Sequence, residues 1–220
     1  MAGRIRPAGL RAVLLEPDGD EGGADPLGDA RRVAALADLV REQVRRGALV
    51  AVDVVPGART VLVDGVRPGD SQLLQELLDQ GGPPSEHSGD GSVGGPVVEL
   101  PTVYDGADLA AVAELWGVGP DEVVSRHSAL VFQAAFCGFA PGFAYLAGLP
   151  ADWSVPRRDQ SRARVPAGSV GLAGAWCGVY PRASPGGWQL LGHTEVTLFD
   201  PDADPPALLR PGVRVRFVRC

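Results

Sequence analysis

The sequence predicts an α+β chain, with a small α/β layer of ferredoxin-like character over residues 1–80 and a β-sandwich or closed barrel later on. Three observations carry this. Helical and extended hydrophobic patterns alternate along the first eighty residues. A stretch at residues 81–96, GGPPSEHSGDGSVGGP, has one strong apolar side chain, Val93, too few to drive its own ordering. From Leu130 onward, short apolar runs are broken by Pro or Gly at intervals of about 8–12 residues, the rhythm of an all-β unit. The organisation expected is thus residues 1–80, a linker at 81–96, and a second domain at 97–220.

In order, Arg11–Glu16 reads as a strand and Pro17–Gly28 as a loop. Asp29 is then the expected cap of a helix whose Val33, Leu36, Leu39, Val40 and Val44 recur every three or four residues up to Gly47. Leu49–Val55 and Arg59–Val63 are β-branched runs joined at Pro56-Gly57, a hairpin signal. Asp70-Ser71 opens a second helix through Leu73, Leu74, Leu77 and Leu78. Past the linker, Val97–Val103 looks extended, Asp105 or Asp108 starts a helix ending near Trp116-Gly117, and Pro120 sits in the first turn of another that reaches about His127.

Composition narrows the chemistry. The chain has 220 residues and a net charge of −7, which disfavours broad attraction to nucleic acid or anionic lipid. All 20 basic residues are arginine, so Schiff-base, biotinyl-lysine and P-loop lysine chemistry is excluded. Cys137, Cys177 and Cys220 are too few and too widely spaced for a disulfide framework or a C-x-x-C zinc site. With three scattered histidines, no metal site is expected. There is no signal-peptide pattern or apolar run near twenty residues, so a soluble, cytoplasmic protein is expected.

Candidate chemistry gathers in the second half. Pro156–Pro166 (PRRDQSRARVP) sets Arg157, Arg158, Arg162 and Arg164 against one acid, and guanidinium forks pair with carboxylate or phosphate. The competing readings are a solvated hairpin, or arginines paired to a partner protein. Ala167–Gly174 (AGSVGLAG), which contains Ser169, carries glycine at every third position, as phosphate cradles and tight barrel turns both do. Tyr180–Thr194 concentrates Tyr180, Ser184, Trp188, Gln189, His193 and Thr194 near turns. On a regular strand Gln189, Leu191 and His193 would share one face and could meet a polar ligand, or His193 could be a half-exposed strand-end residue. Cys137 is either a thiol nucleophile served by His127 or His193, or a small core residue.

Several of these segments recur together in a known family. His127-Ser128, Gly138–Pro150 (GFAPGFAYLAGLP), Pro156-Arg157-Arg158, Val165–Gly171 (VPAGSVG), Gly178–Pro181 (GVYP), Ser184–Thr194 (SPGGWQLLGHT) and Leu198–Pro201 (LFDP) resemble, in this order, the allophanate hydrolase subunit 1 or KipI family. The family is also called carboxyltransferase subdomain C/D and includes the B subunit of bacterial ATP-dependent 5-oxoprolinase. Agreement at Arg6–Val13 and Val54–Val63 extends the resemblance to the first domain, while Ala144, Val155 and Trp176-Cys177 depart from the family's usual residues.

The resemblance implies a cyclophilin-like β-barrel for residues 97–220. It further implies association with the homologous C subunit and the A subunit of such a complex, and ATP hydrolysis by the complex coupled to conversion of 5-oxo-L-proline to L-glutamate, with this chain inactive alone. Members of the family also inhibit sensor histidine kinases or serve urea and allophanate degradation. The residues expected to bind substrate or anion are Arg157, Arg158, Arg164, Ser169, Tyr180, Gln189 and His193, with His193 and Arg158 the catalytic candidates and no metal ligand.

Overall fold

The computed structural model describes residues 3–18, 25–81 and 97–220. The chain divides into two compact units, Met1–Gly91 and Ser92–Cys220. The expected linker lies, from residue 82 onward, outside the described residues, as does His87.

In the first unit β1 (Arg4–Pro7), β2 (Ala12–Glu16), α1 (Pro26–Arg45), β3 (Asp53–Pro56), β4 (Val61–Asp64) and α2 (Ser71–Gln80) follow one another. The strands form one antiparallel sheet in the order β1-β2-β4-β3. In a ferredoxin-like βαββαβ unit, the strand after the second helix lies beside the first strand. Here that place is taken by β1, from the start of the chain. It is largely exposed and two of its four residues are arginines, so it gives no hydrophobic signal in the sequence. One face of the sheet and the apolar stripes of α1 and α2 close a core around Leu15, Leu36, Val40, Val61, Val63 and Leu74.

Helix α1 starts earlier than the sequence suggests. Asp25 is its cap, accepting the Gly28 N–H at 2.9 Å, and Pro26 supplies a preset first turn. Asp29 instead lies buried in that turn, ion-paired with Arg32. The expected Pro56-Gly57 turn joins β3 and β4, with the Gly57 N–H donating to the Thr60 carbonyl at 2.8 Å.

The second unit comprises β5 (Val97–Thr102), α3 (Leu109–Trp116), α4 (Pro120–Ala129), β6 (Phe132–Cys137), β7 (Ala144–Ala147), β8 (Arg162–Val165), β9 (Ser169–Ala173), β10 (Trp176–Val179), β11 (Ser184–Gly186), β12 (Gln189–His193) and β13 (Arg214–Arg219). Seven strands form a sheet in the order β12-β9-β10-β7-β6-β13-β5, while β8 and β11 pair as a separate ribbon. The sheet nearly closes into a barrel through one bridge just past β5. Val103 and His193 exchange both backbone hydrogen bonds, at 2.9 and 2.8 Å. Gly106 and Asp108 continue this seam by donating to Leu191 and Leu190 at 3.0 and 3.1 Å. Two glycines permit the approach, since a Cβ on Gly192 would stand 2.0 Å from the Val103 oxygen and one on Gly106 2.2 Å from that of Leu190.

Period-two alternation splits the strands between two cores. Leu100, Phe132, Leu146, Leu172, Cys177 and Phe217 enter the larger one, completed by Val112 and Val123 of α3 and α4. Residues next to them point the other way, where Phe143, Tyr145, Ala173, Trp176 and Trp188 build an aromatic layer with Tyr180. A bulge at Leu191 shifts the parity of β12. Gln189 pairs with Leu172, but His193 pairs with Ser169, so Gln189 and His193 lie on opposite faces rather than sharing one.

Candidate functional site

The arginine segment separates into two pairs with different roles. Asp108 is 2% exposed at the start of α3, and its carboxylate accepts four hydrogen bonds. Arg158 donates one at 2.7 Å, Arg162 two at 2.7 and 2.8 Å, and the Leu190 backbone one at 2.7 Å. Burial alone would raise the Asp108 pKa. Hydrogen bonds from Arg162 and Leu190 and the charges of Arg162 and Arg158 overcome that and hold it below the ordinary carboxylate value. The segment is thereby fastened to the barrel seam.

Arg157 and Arg164, by contrast, are exposed and make no hydrogen bond or ion pair among the described residues. Arg157 stands between two open clefts. The larger, of about 640 Å³, is lined by the aromatic residues Tyr145, Trp176 and Trp188, by Ala173 and Gly174, and by the segment from Ser154 to Arg157. The smaller, of about 420 Å³, lies between Pro156–Asp159, Gln189 and the α3 residues Ala111, Glu114 and Leu115. Arg164 lies instead on the β8–β11 ribbon.

The glycine pair after Pro185 seats this region. A Cβ on Gly186 would be 2.3 Å from the buried Tyr180 phenol oxygen, and one on Gly187 would be 3.6 Å from an Arg157 guanidinium nitrogen. Burial pushes the Tyr180 phenol up, so it stays protonated at neutral pH. The Gln189 amide donates to the Pro156 carbonyl at 3.1 Å, fixing the rim that the two clefts share.

His193 is elsewhere, past the bulge on β12 and roughly 10 Å from Gln189. Its Nδ1 lies 2.9 Å from an Asp105 oxygen and its Nε2 3.7 Å from one of Glu195; the side chain is 37% exposed. Ser169 is buried on the neighbouring strand, opposite it. Arg157, Arg158 and Gln189 thus line one cleft, with Tyr180 close to Arg157, while His193 with Ser169, and Arg164, occupy two other places.

Of its two readings Cys137 takes the second, packed against the larger core with no histidine partner among the described residues. Its thiol donates to the Leu209 carbonyl at 3.4 Å, and burial raises its pKa. His127 is fully buried between the Tyr104 hydroxyl, 2.8 Å from Nδ1, and the Cys177 sulfur, 3.4 Å from Nε2. Burial lowers the His127 pKa to about 3 and raises those of Tyr104 and Cys177. All three are neutral at pH 7, so this chain of hydrogen bonds holds no thiolate nucleophile. Among the described residues no three His, Cys, Asp or Glu side chains gather as a metal site. No described helix is long and apolar enough to cross a membrane.

The sequence marks Asp108 only as a helix start and Trp176 only as a departure from the family's usual residue, and it does not single out Tyr145 or the Asp105 contact to His193. An available signal for Asp108 is the need of four clustered arginines for an acid, although nothing in the spacing says which acid supplies it.

Comparison with known proteins fits this architecture. Residues 3–209 match the carboxyltransferase domain, subdomain C and D. The chain belongs to that family. Among its relatives, the B subunit of the 5-oxoprolinase of Escherichia coli O157:H7 is 54% identical over 124 residues, covering 55% of this chain and 57% of that protein. The matched region thus spans little more than half the length of the curated relative. A conserved uncharacterized protein from Pyrococcus horikoshii, of known crystal structure, is 32% identical with a TM-score of 0.56, covering 99% of this chain and 97% of its own. The urea amidolyase of Kluyveromyces lactis shares the fold at 20% identity and a TM-score of 0.70, covering 99% of this chain and 15% of that one.

Proposed function

We propose that this carboxyltransferase C/D-family chain is one component of an ATP-dependent 5-oxoprolinase, working with the homologous C subunit and the A subunit of that complex to convert 5-oxo-L-proline to L-glutamate. The observation that carries this is the 54% identity to a protein named as the B subunit of 5-oxoprolinase. The geometry fits a reaction in which negative charge must be held, because Arg157 is a cation at the cleft with no hydrogen bond or ion pair among the described residues.

The lactam carbonyl is a poor electrophile, and phosphorylation offers a way through. The carbonyl oxygen attacks the γ-phosphorus of ATP, forming an O–P bond and expelling ADP. Water adds at the ring carbon, and the ring C–N bond breaks as the nitrogen takes a proton, leaving an acyl phosphate. A second water releases inorganic phosphate and glutamate. Each step places charge on phosphoryl or carboxyl oxygens, which guanidinium donors stabilise. Arg157 is assigned to that task, whereas Arg158 and Arg162, both bonded to Asp108, hold the segment in place.

The test is reconstitution of the chain with its two partner proteins, followed by an assay of ADP and glutamate formation. ATP hydrolysis that depends on 5-oxo-L-proline and on all three chains is expected. Turnover by this chain alone, or a complex that responds to urea and not to 5-oxo-L-proline, overturns the reading.

A further inference from the structure

The geometry points to the larger cleft as this chain's binding site for a small, flat ring that carries a carboxylate, the class to which 5-oxo-L-proline belongs. The choice of 5-oxo-L-proline as occupant rests on the function proposed above; the cleft and its ligand class rest on the residues that form it.

Three features converge there. The first is shape. Tyr145 is braced by stacking on Phe136, with centroids 4.4 Å apart, and meets Trp176 and Trp188 edge-on at 6.1 and 5.7 Å. The three rings thus give the cleft a braced aromatic lining, and the small residues Ala173 and Gly174 line it beside them. The second is charge. Arg157 is the one cation lining the cleft, it has no hydrogen bond or ion pair among the described residues, and no carboxylate lines the cleft to compete for it. The third is rigidity of the rim. Val155 and Gly174 exchange backbone hydrogen bonds at 3.2 and 2.7 Å, and Gln189 holds the Pro156 carbonyl, so Arg157 projects from a fixed strap.

An apolar cleft with a few converging polar groups is the usual form of a small-molecule site, and about 640 Å³ falls in the usual size range. In this arrangement the ring lies against the aromatic lining while its carboxylate takes the two parallel N–H donors of Arg157. A ring bearing an ammonium group would meet repulsion from Arg157, so the cleft favours a neutral lactam over a cyclic amine of equal size.

The experiment is a titration of the full chain with 5-oxo-L-proline, following the indole N–H signals of its four tryptophans, Trp116, Trp153, Trp176 and Trp188. Saturable shifts at Trp176 and Trp188, with Trp116 unmoved, are expected. Arg157→Gln and Trp176→Ala are each expected to weaken binding at least tenfold, Arg216→Ala to leave it unchanged, and L-proline to bind at least tenfold more weakly. No saturable shift, shifts at Trp116 alone, or equal affinity in Arg157→Gln overturns the assignment of the cleft. The reconstituted assay separates this from the functional reading. A complex that hydrolyses 5-oxo-L-proline with an unchanged KM in Arg157→Gln keeps the reading and removes the cleft. An inactive complex in which this chain still binds the lactam through Arg157 keeps the cleft and removes the reading.

Discussion

Arg158 and Arg162 differ from Arg157 and Arg164 in what surrounds them, although all four lie within eight consecutive residues of the chain. The first pair closes on a carboxylate buried at 2% exposure, so their charge is used inside the protein. The second pair is exposed and makes no hydrogen bond or ion pair among the described residues. A run of like charges is therefore not one functional unit. A buried acid converts part of it into scaffold and leaves the remainder available to a ligand.

The sharpest way to break this comparison is Asp108→Ala, which strands two guanidinium groups and the Leu190 N–H at once. A loss of about 3–5 kcal/mol is expected, as when one member of a buried ion cluster is removed. All four tryptophans lie in the second unit, so denaturant unfolding followed by their fluorescence reads that unit alone. A loss below about 1 kcal/mol would mean that the cluster does not fasten the segment.

Acid probes the same contrast without mutation. Asp108 has a depressed pKa in the folded state, so its contribution is present above the ordinary carboxylate pKa and disappears as pH falls through the folded value. His127 works in the same direction over a higher range. Held at about 3 in the folded protein, it takes up a proton more readily when unfolded, and stability is expected to fall as pH drops from about 6.5 towards 3. Unfolding midpoints measured between about pH 7 and about pH 3 are expected to decline throughout, and Asp108→Asn to flatten only the most acidic part. A midpoint that is flat from about pH 6.5 to about pH 4.5 would contradict the burial of a neutral His127.

Within the scaffold pair, Arg162→Ala is expected to cost more than Arg158→Ala, about 2 against about 1 kcal/mol, because Arg162 makes two of the three arginine bonds to Asp108 and is the less exposed. The smallest effect is expected at the exposed pair. Arg157→Ala and Arg164→Ala are predicted to shift stability by no more than about 0.5 kcal/mol in the same unfolding measurement, since neither breaks an internal bond.

How far the sequence reveals all this depends on the range of the interaction. The helices near Ser71, Leu109 and Pro120 follow from local periodicity, Pro120 and Gly117, and the structure places them within a few residues of the reading. The β3–β4 hairpin follows from Pro56-Gly57. Strand β1 does not, because an exposed edge carries no apolar pattern. Nor does the facing of His193, which one extra residue at Leu191 reverses, or the choice of Asp108 by arginines some fifty positions away. The cleft is half legible. Arg157 stands out by charge and Trp176 by its departure from the family's usual residue, while Tyr145 looks like an ordinary core residue until the sheet brings it to the same cleft.

The bridge between Val103 and His193 joins positions ninety residues apart in sequence and, with the Gly106 and Asp108 bonds beside it, nearly closes the sheet into a barrel. Rings closed by so distant a clasp assemble after their local hairpins and part there first when they breathe. Amide protons along this clasp are expected to exchange with solvent sooner than those of the central strands. The residue at its end, His193, would then experience any such opening directly, tying the orientation of its imidazole to whether the hoop is fastened.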